Sequence, residues 1–273
     1  MKTFSQVKNL IIRALSGAVY IALVIAAIYF GGWLFATFFG ILLVLGIHEA
    51  QKLARKGKAR KTVAYLDIAI GVALFVGTFA SMEYGITYKI TAVLPIALLL
   101  ARYVSGLYLK EKSPTLSWAA SLFTIGYVAL PLTALALLHH FYSMPVVLFM
   151  FVCIWLNDTG AYLVGCTIGK HRLFERISPK KSWEGFFGGM AFCIAAGSFA
   201  HLLIGGSQAV WIPFAIVVSV FSTWGDLVES LIKRTAGVKD SGNIMPGHGG
   251  VLDRIDSLLF VAPAILAFMI MLF

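Results

Sequence analysis

Residues 230–256 read SLIKRTAGVKDSGNIMPGHGGVLDRID and lie between two strongly apolar segments of the chain. Because charged side chains are costly inside a bilayer, such a stretch is expected at a membrane surface. Between residues 226 and 256 the acids are Asp226, Glu229, Asp240, Asp253 and Asp256, and the bases are Lys233, Arg234, Lys239 and Arg254. Carboxylates bind hard cations, and Lys and Arg bind phosphate oxygens, so this mixture predicts a site that holds metal ions and phosphates together.

The composition of the chain excludes a soluble globular domain. Hydrophobic residues make up 60% of the 273 residues, charged residues only 12%, and the mean hydropathy is +0.89. These values predict an integral membrane protein. Basic cytoplasmic loops account for the formal net charge of +10, so no nucleic-acid partner is expected. We expect a single membrane domain over residues 1–273, in which N-terminal and middle helices (1–143) precede catalytic helices and cytoplasmic loops (144–273).

Apolar runs of about 20 residues are long enough to span a bilayer as helices. Nine runs are candidates: 11–30, 33–47, 64–80, 90–109, 116–138, 146–168, 186–204, 210–232 and 258–273. The first is interpreted as a retained helix, since no small-residue cleavage site with a polar start follows it. If the N-terminus is cytoplasmic, every Lys and Arg except Lys89 falls on the cytoplasmic side. The prediction is an all-α polytopic membrane protein with about nine transmembrane helices, its N-terminus cytoplasmic and its C-terminus outside.

The sixth predicted span carries polar residues near its middle. Asn157 and Asp158 lie there, and Asp158 shares a helix face with Tyr162. An aspartate at this depth normally faces a partner or a polar cavity. We interpret these residues as part of an active-site cavity, and a structural cluster of hydrogen bonds between helices is the alternative.

The eighth predicted span carries a polar stripe on one helix face, formed by Asp226, Glu229, Ser230 and Lys233. Asp253 and Asp256 follow, three residues apart, at the entry to the ninth span. The three aspartates could converge on one or two divalent metal ions. Arg254 points away from this acidic face and is a candidate for binding phosphate or sealing an ion pair. A purely structural ion-pair network is the alternative.

Two loops add candidate phosphate ligands. Residues 245–250, MPGHGG, would let backbone N–H groups approach phosphate oxygens as an anion nest, although such a loop alone can be a simple turn. Residues 178–185, SPKKSWEG, carry two lysines, and a membrane-surface anchor with an interfacial Trp183 is the alternative. The spacing of Gly185 and Gly189 indicates helix packing rather than ligand contact.

Two other features are interpreted as structural. The pair His48–Glu49, where the second span ends, is typical of a membrane-interface pair rather than a site. The basic residues between 51 and 61 are interpreted as an orientation signal that contacts anionic lipid headgroups.

Three motifs together resemble the signature of a known family. They are SxxKR (230–234), KDxG (239–242) and PGHGGxxDRxD (246–256), and residues 178–185 look like a further motif of the same family. The family is that of the phosphatidate cytidylyltransferases, also called CDP-diacylglycerol synthases. The resemblance implies transfer of CMP from CTP to phosphatidic acid in phospholipid biosynthesis, at the cytoplasmic face of a bacterial inner membrane. It also implies Mg²⁺ dependence and a two-metal centre with K⁺ as a candidate second ion.

The resemblance further implies roles for particular residues. The metal ligands would be Asp226, Asp253 and Asp256, with Lys233 and Arg254 as further catalytic residues. The substrate-binding residues would be Lys180, Lys181, Ser182, Glu184, Asn157, Asp158, Ser230, Arg234, Lys239, Asp240, His248, Gly249 and Gly250. The implied partners are CTP, phosphatidic acid and the lipid bilayer, and a homodimer is left open.

Two other classes of protein remain open. Another CTP-dependent or lipid-phosphate transferase would also use intramembrane acids and Mg²⁺, although the continuous motif pattern argues against it. An ion-coupled transporter would also bury Asp and Asn, but the sequence lacks the broken helices in two matching halves that would favour one.

Overall fold

The structure is a computed structural model and describes residues 2–55, 61–110, 113–242, 244 and 249–272. Most of these residues are helical, because a helix satisfies its backbone hydrogen bonds internally within a bilayer. The helices are α1 (Lys2–Phe30), α2 (Gly32–Arg55), α3 (Lys61–Tyr84), α4 (Tyr88–Tyr108), α5 (Pro114–Thr124), α6 (Leu130–Ile168), α7 (Trp183–Ile204), α8 (Gln208–Ala236) and α9 (Leu252–Leu272). A π-helical turn, Ile125–Ala129, joins α5 to α6.

Seven segments within the described residues are long and apolar enough to cross a membrane. They are Gly32–Arg55, Val63–Tyr84, Thr91–Tyr108, Pro114–Ile168, Trp183–Ile204, Gln208–Ala236 and Leu252–Leu272. A shorter apolar helix, Ala14–Phe30, precedes them. The expectation of an all-α polytopic membrane protein is therefore confirmed, and the count of nine spans stays a prediction.

The longest of these segments, Pro114–Ile168, contains a break. Ser143 has a φ of 72° and a ψ of 161°, far from helical values. Pro145 follows, and its missing backbone N–H removes one helical hydrogen bond. The break lies between the fifth and sixth predicted spans, and each side of it is longer than the roughly 20 residues that a transmembrane helix needs.

The chain divides into two compact units. Unit 1 contains Met1–Ala136 and Ala236–Arg254, and unit 2 contains Leu137–Thr235 and Ile255–Phe273. The expectation of a single domain with an internal boundary at residue 143 stays a prediction.

Unit 1 has an aromatic core between α2 and α3. Phe35 and Phe39 on α2 are fully buried, with ring centroids 4.7 Å apart. Phe35 also stacks on Phe79 of α3 at 6.3 Å. Close approach of the two helices needs a small residue at Gly71, where a Cβ would lie 2.3 Å from Ile47 Cδ1.

Unit 1 also contains a buried network of charges that the sequence did not predict. Asp67 on α3 and Arg102 on α4 are both 0% exposed. Asp67 Oδ2 accepts hydrogen bonds from Arg55 Nη2 at 2.8 Å and Gln51 Nε2 at 3.0 Å, both on α2. Arg102 Nε lies 3.6 Å from Asp67 Oδ1, and its Nη2 donates to Ser117 Oγ on α5 at 2.5 Å. Polar side chains thus join four helices, since buried charges need partners.

The network corrects the sequence-based view of α2. The second span was predicted to end at residue 47, followed by a basic loop whose side chains contact lipid headgroups. Instead α2 continues to Arg55, whose side chain pairs with the buried carboxylate of Asp67. Lys56, Lys58 and Arg60 lie outside the described residues, so their interpretation as an orientation signal stays a prediction.

Unit 2 carries the only strands within the described residues. β1 (Arg172–Phe174) and β2 (Ser178–Ser182) pair antiparallel, with Arg172 opposite Ser182 and Phe174 opposite Ser178. The hairpin connects α6 to α7, which pack closely through small residues. A Cβ at Gly185 would lie 2.9 Å from Ala161 O, and one at Gly189 would lie 2.6 Å from Asn157 O. The helix-packing interpretation of Gly185 and Gly189 is confirmed.

Candidate functional site

A cavity of about 310 Å³ lies in unit 2 and is bordered by α6, the hairpin, the start of α7 and α8. Its lining residues are Asn157, Asp158, Ala161, Tyr162, Gly165, Cys166, Leu173, Lys180, Lys181, Ser182, Gly185, Phe186, Thr223 and Asp226. The sequence predicted six of these as site residues: Asn157, Asp158, Lys180, Lys181, Ser182 and Asp226. They lie on two helices and a loop that are far apart in sequence. The structure therefore brings together the polar part of the sixth span, the SPKKSWEG stretch and the eighth span.

Asn157 links α6 to α8 at the wall of this cavity. It is 2% exposed. Its Oδ1 accepts a hydrogen bond from Ser219 Oγ at 2.7 Å, and its Nδ2 donates to Thr223 Oγ1 at 3.4 Å. Both of these partners lie on α8, so Asn157 fixes the two helices that carry Asp158 and Asp226. Asp158 is exposed towards the cavity.

The hairpin is fastened to the start of α7 by two residues that were predicted to bind substrate. Ser182 caps α7, and its Oγ accepts a hydrogen bond from Gly185 N at 3.1 Å. The carboxylate of Glu184 accepts the backbone N–H groups of Lys170 at 3.1 Å and His171 at 3.2 Å, and it lies 2.5 Å from His171 Nδ1. Ser182 thus caps the helix that follows β2, and Glu184 fixes the backbone just before β1. Their role in substrate binding stays a prediction.

Three carboxylates in unit 2 form a cluster. Asp226 and Glu229 on α8 and Asp256 on α9 each offer an oxygen within 4.8 Å of the others. Glu229 is 1% exposed and forms an ion pair with Lys233 one turn further along α8. We call Asp226, Glu229 and Asp256 the carboxylate cluster.

Cationic and hydroxyl groups surround the carboxylate cluster. Lys181 Nζ lies 2.6 Å from Asp226 Oδ2. Ser230 Oγ donates to Asp226 Oδ1 at 3.3 Å, and Ser257 N donates to Asp256 Oδ1 at 2.7 Å. Carboxylate oxygens are hard donors of the kind that Mg²⁺ prefers, so the cluster fits a divalent ion. The lysines place positive charge where phosphate oxygens could be bound.

The cluster depends on a close approach of α8 and α9. A Cβ at Gly225 would lie 2.5 Å from the carbonyl oxygen of Asp256 and 3.0 Å from Ser257 Cα. Ser257 Oγ donates to the carbonyl oxygen of Ser222 at 3.2 Å. Glycine directly before Asp226 therefore allows the backbones of the two helices to approach closely beside the carboxylates.

Asp253, the third predicted metal ligand, has a different environment in unit 1. Its Oδ2 accepts hydrogen bonds from Ser241 N and Ser241 Oγ, each at 3.0 Å, and from Gly250 N at 2.8 Å. The N–H of Gly250, which the anion-nest interpretation directed at a phosphate, is thus used within the loop. Gly249 has a φ of 83°, and a Cβ there would lie 2.6 Å from Asp253 Oδ2. A role for Asp253 as a metal ligand stays a prediction.

The other predicted residues lie around this loop and along α8. Arg234, Lys239 and Asp240 are exposed, and the carbonyl oxygen of Arg254 accepts a hydrogen bond from Tyr20 Oη at 3.3 Å. His248 lies outside the described residues. None of these positions is tested as a substrate contact, so their assignments stay predictions.

Sequence reasoning missed two acids of functional interest. Glu229 stands three residues after Asp226 on the predicted polar stripe, and that spacing could have placed it among the metal ligands. Glu49 was interpreted as part of an interface pair, but its carboxylate is 1% exposed and accepts hydrogen bonds from residues 241, 251 and 252. No local pattern indicates contacts across nearly 200 positions of the chain.

The apolar helices and this cavity define a polytopic membrane protein with a charged site suited to phosphates and cations. The chain belongs to a known family: the profile described as "Cytidylyltransferase family" matches residues 11–272. The resemblance that the motifs indicated is confirmed by this match.

Curated relatives match a shorter part of the chain. Over 119 residues it is 50% identical to a protein named phosphatidate cytidylyltransferase from Staphylococcus epidermidis (strain RP62A), covering 43% of this chain and 46% of that protein. Over 120 residues it is 51% identical to the protein of the same name from Staphylococcus aureus (strain COL), with the same coverage. The Staphylococcus saprophyticus protein is 48% identical over 119 residues, again with 43% and 46% covered. The matched region thus spans a little under half the length of these relatives.

Proposed function

We propose that this protein transfers CMP from CTP to phosphatidic acid, giving CDP-diacylglycerol and pyrophosphate for phospholipid synthesis. The observation that carries the proposal is the carboxylate cluster beside Lys181, at a cavity of about 310 Å³, in a chain of the cytidylyltransferase family. The names of the staphylococcal relatives support the same reaction. The motif pattern over residues 230–256 favours it over another lipid-phosphate transferase.

The site has to offset the negative charge of both substrates. Both substrates are anions, so their mutual repulsion and the charge developing on pyrophosphate raise the barrier. Lys180 and Lys181 line the cavity and supply positive charge for the triphosphate of CTP. Asn157, held by α8, and Asp158 shape the polar wall of the cavity opposite the hairpin lysines.

The transfer itself requires one bond to form and one to break. An oxygen of the lipid phosphate, already ionised at neutral pH, attacks the α-phosphorus of CTP. The bond between that phosphorus and the oxygen bridging to the β-phosphate breaks, and pyrophosphate leaves with the electron pair. No protein nucleophile or strong general base is needed, so we propose in-line transfer without a covalent enzyme intermediate.

We propose that Mg²⁺ is the cofactor, with K⁺ as a candidate second ion. Bound divalent cations would neutralise charge on the phosphates. Asp226, Glu229 and Asp256 would hold a cation in unit 2, because their oxygens lie within 4.8 Å of one another. Asp253 remains a proposed ligand from the motif resemblance.

We also propose the finer topology and location. The N-terminus would be cytoplasmic, nine spans would cross a bacterial inner membrane, and the C-terminus would lie outside. The distribution of Lys and Arg supports this arrangement, and it would make the cavity accessible to cytoplasmic CTP. Light scattering of the protein in detergent would determine whether it forms a homodimer.

Reporter fusions test the topology. A fusion of green fluorescent protein after residue 175, in the hairpin region, should fluoresce because this reporter folds in the cytoplasm. A fusion of alkaline phosphatase after residue 206 should be active because this reporter requires the periplasm. The reverse pattern at both positions would overturn the proposed orientation.

An assay with purified protein tests the reaction. The protein in detergent, given phosphatidic acid, Mg²⁺ and CTP labelled in the α-phosphate, should transfer label into the lipid fraction. Chelation of Mg²⁺ should stop the transfer. With CTP made chiral by sulfur at the α-phosphorus, in-line transfer should invert the configuration.

Other results would exclude specific parts of the proposal. Retention at phosphorus would exclude single in-line displacement. Label that stays in the aqueous phase would exclude the reaction, and cation uptake into sealed vesicles by the same preparation would favour an ion-coupled transporter. Label from the γ-phosphate of CTP entering the lipid would instead indicate a CTP-dependent lipid kinase.

A further inference from the structure

A single buried carboxylate contacts described residues before and at the start of α9. Glu49 lies on α2, and its Oε1 accepts a hydrogen bond from Val251 N at 3.0 Å. Its Oε2 accepts hydrogen bonds from Leu252 N at 2.9 Å and Ser241 Oγ at 2.8 Å. All four residues belong to unit 1. The carboxylate therefore ties two separate points of the loop, residues 241 and 251–252, to one helix.

These contacts lie at the N-terminal end of a helix, where a carboxylate is stabilising. The first N–H groups of a helix have no partner within the helix, and a negative charge near them is favourable. Glu49 accepts the N–H groups of Val251 and Leu252, and Asp253 accepts that of Gly250 at 2.8 Å. Two carboxylates thus bind the backbone N–H groups of residues 250–252, just before and at the start of α9, and the more buried carboxylate comes from a distant helix.

The glycines of the loop fit around Glu49. A Cβ at Gly242 would lie 2.4 Å from Glu49 Oε1, and one at Gly250 would lie 2.4 Å from Glu49 Oε2 and 2.6 Å from Gly242 N. A side chain at either position would therefore displace the carboxylate of Glu49, and one at Gly250 would also meet the backbone of Gly242. Gly242 and Gly250 permit the contact with Glu49, whatever else they bind.

We propose that Glu49 is a positioning residue for the reaction: it fixes the start of α9 and thereby the position of Asp253, the acid that α9 carries within unit 1. Asp253 and Glu49 both accept a hydrogen bond from the hydroxyl of Ser241. The role in turnover rests on the proposed CMP transfer, whereas the anchoring contact does not. Glu49 touches no substrate in this proposal and acts through the backbone of the loop.

Glu49→Gln is the sharpest variant. Both oxygens of Glu49 accept hydrogen bonds, whereas the amide of glutamine has one acceptor oxygen and one donor nitrogen. Whichever way the amide turns, its NH₂ group faces an N–H donor, so at least one contact is lost. Glu49→Asp keeps the charge and both acceptors on a shorter side chain and should restore part of the function. Ser241→Ala keeps both carboxylates and removes the contacts that the Ser241 hydroxyl makes with Glu49 and Asp253, so it serves if Glu49→Gln fails to fold.

Two measurements on the full chain in detergent test the proposal. Hydrogen exchange followed by mass spectrometry should show faster exchange over residues 249–256 in Glu49→Gln, with α7 unchanged. Transfer of label from CTP to phosphatidic acid should show kcat lowered roughly 10- to 100-fold, with a smaller change in KM for CTP, as expected when reacting groups are misplaced. Glu83→Gln, at an exposed position on α3, is the matched control and should behave as wild type in both measurements.

The two measurements separate the possible failures. Unchanged hydrogen exchange over residues 249–256 in both Glu49→Gln and Ser241→Ala would overturn the proposal that Glu49 anchors the start of α9. Faster exchange with wild-type kcat would overturn the positioning role. Equal loss of kcat in Glu49→Asp and Glu49→Gln, with exchange raised throughout the protein, would show a general structural role and overturn the proposal. If the wild-type protein itself transfers no label, the proposed reaction and the role of Glu49 in turnover both fail. Hydrogen exchange still tests whether Glu49 anchors the start of α9.

Discussion

Replacing Asp226 by asparagine is expected to lower CMP transfer roughly 10²- to 10³-fold, as the loss of one electrostatic contact to a reacting group does in other enzymes. Asp226 is the one residue that both lines the cavity and belongs to the carboxylate cluster among the described residues. It also pairs with Lys181 at 2.6 Å and accepts a hydrogen bond from Ser230. Asparagine keeps the shape and one acceptor oxygen but removes the charge that would hold a cation.

The decisive measurement is the rate of transfer as a function of Mg²⁺ concentration. Asp226→Asn should lower the maximal rate and shift the activation curve to higher Mg²⁺, whereas Glu175→Gln, at an exposed position after β1, should do neither. Asp226→Cys adds a positive test, because a thiolate favours softer metals and should recover activity better with Mn²⁺ or Cd²⁺ than with Mg²⁺. A wild-type rate and activation curve in Asp226→Asn would contradict the assignment of the cluster as the metal site.

The same assay distinguishes the metal ligands indicated by the sequence from those indicated by the structure. The motif resemblance implied Asp226, Asp253 and Asp256, whereas the geometry of unit 2 groups Glu229 with Asp226 and Asp256. If Glu229 is a ligand, Glu229→Gln shifts the Mg²⁺ activation curve. Its partner Lys233 would lose its counter-charge, so Lys233→Met in the same background tests whether the shift comes from the metal or from the ion pair.

Local patterns were sufficient for the helices and for much of the cavity. Apolar runs of transmembrane length indicated the seven long apolar segments, and the i, i+3 and i, i+4 spacing on α8 placed Asp226, Glu229 and Lys233 on one face. An aspartate beside an asparagine within an apolar run indicated that α6 faces a polar partner. The structure supplies that partner in Ser219 and Thr223 of α8 for Asn157.

Contacts between distant segments could not be predicted from these patterns. Glu49 and Leu252 are separated by 203 positions. Asp67 pairs with Arg55 and Arg102, and the three residues lie on three different helices. Hydrophobic periodicity identifies a face that turns inward, but it does not identify the face it meets. Arg55, at the end of α2, shows the consequence: it fits the positive-inside rule, and in the fold its side chain is 9% exposed and pairs with Asp67.

Some residues that the motif resemblance assigns to substrate binding also make structural contacts. Ser182 and Glu184 fall within a motif that resembles a substrate-binding segment, yet Ser182 caps α7 and Glu184 binds the backbone of residues 170 and 171. Gly250 donates its N–H to Asp253. A motif indicates that residues act together, and the fold adds the structural contacts that each of them makes. The substrate-binding roles of Ser182, Glu184 and Gly250 stay predictions.

Lys181 should be the most sensitive cation of the hairpin, and Lys181→Met is expected to lower kcat/KM for CTP roughly 10²-fold. Its ammonium group lies 2.6 Å from Asp226, and its side chain is 26% exposed. Loss of the lysine removes positive charge beside the cavity and leaves the acids of α8 to repel the triphosphate. A charge-assisted contact to phosphate is worth about 1.5–3 kcal/mol, so roughly one to two orders of magnitude follow.

Two further variants separate charge from shape at this position. Lys181→Arg keeps the charge and should retain part of the activity, although a planar guanidinium does not reproduce the geometry of an ammonium group. Lys89→Met, at an exposed position on α4, removes one positive charge elsewhere and should leave kcat/KM unchanged. The kcat/KM of Lys181→Arg divided by that of Lys181→Met should fall towards one as salt is added, because added ions weaken attraction between the triphosphate and the hairpin. If Lys181→Met and Lys89→Met have equal, near wild-type kcat/KM for CTP, the hairpin does not bind the triphosphate, and the nucleotide must approach the carboxylates from another side.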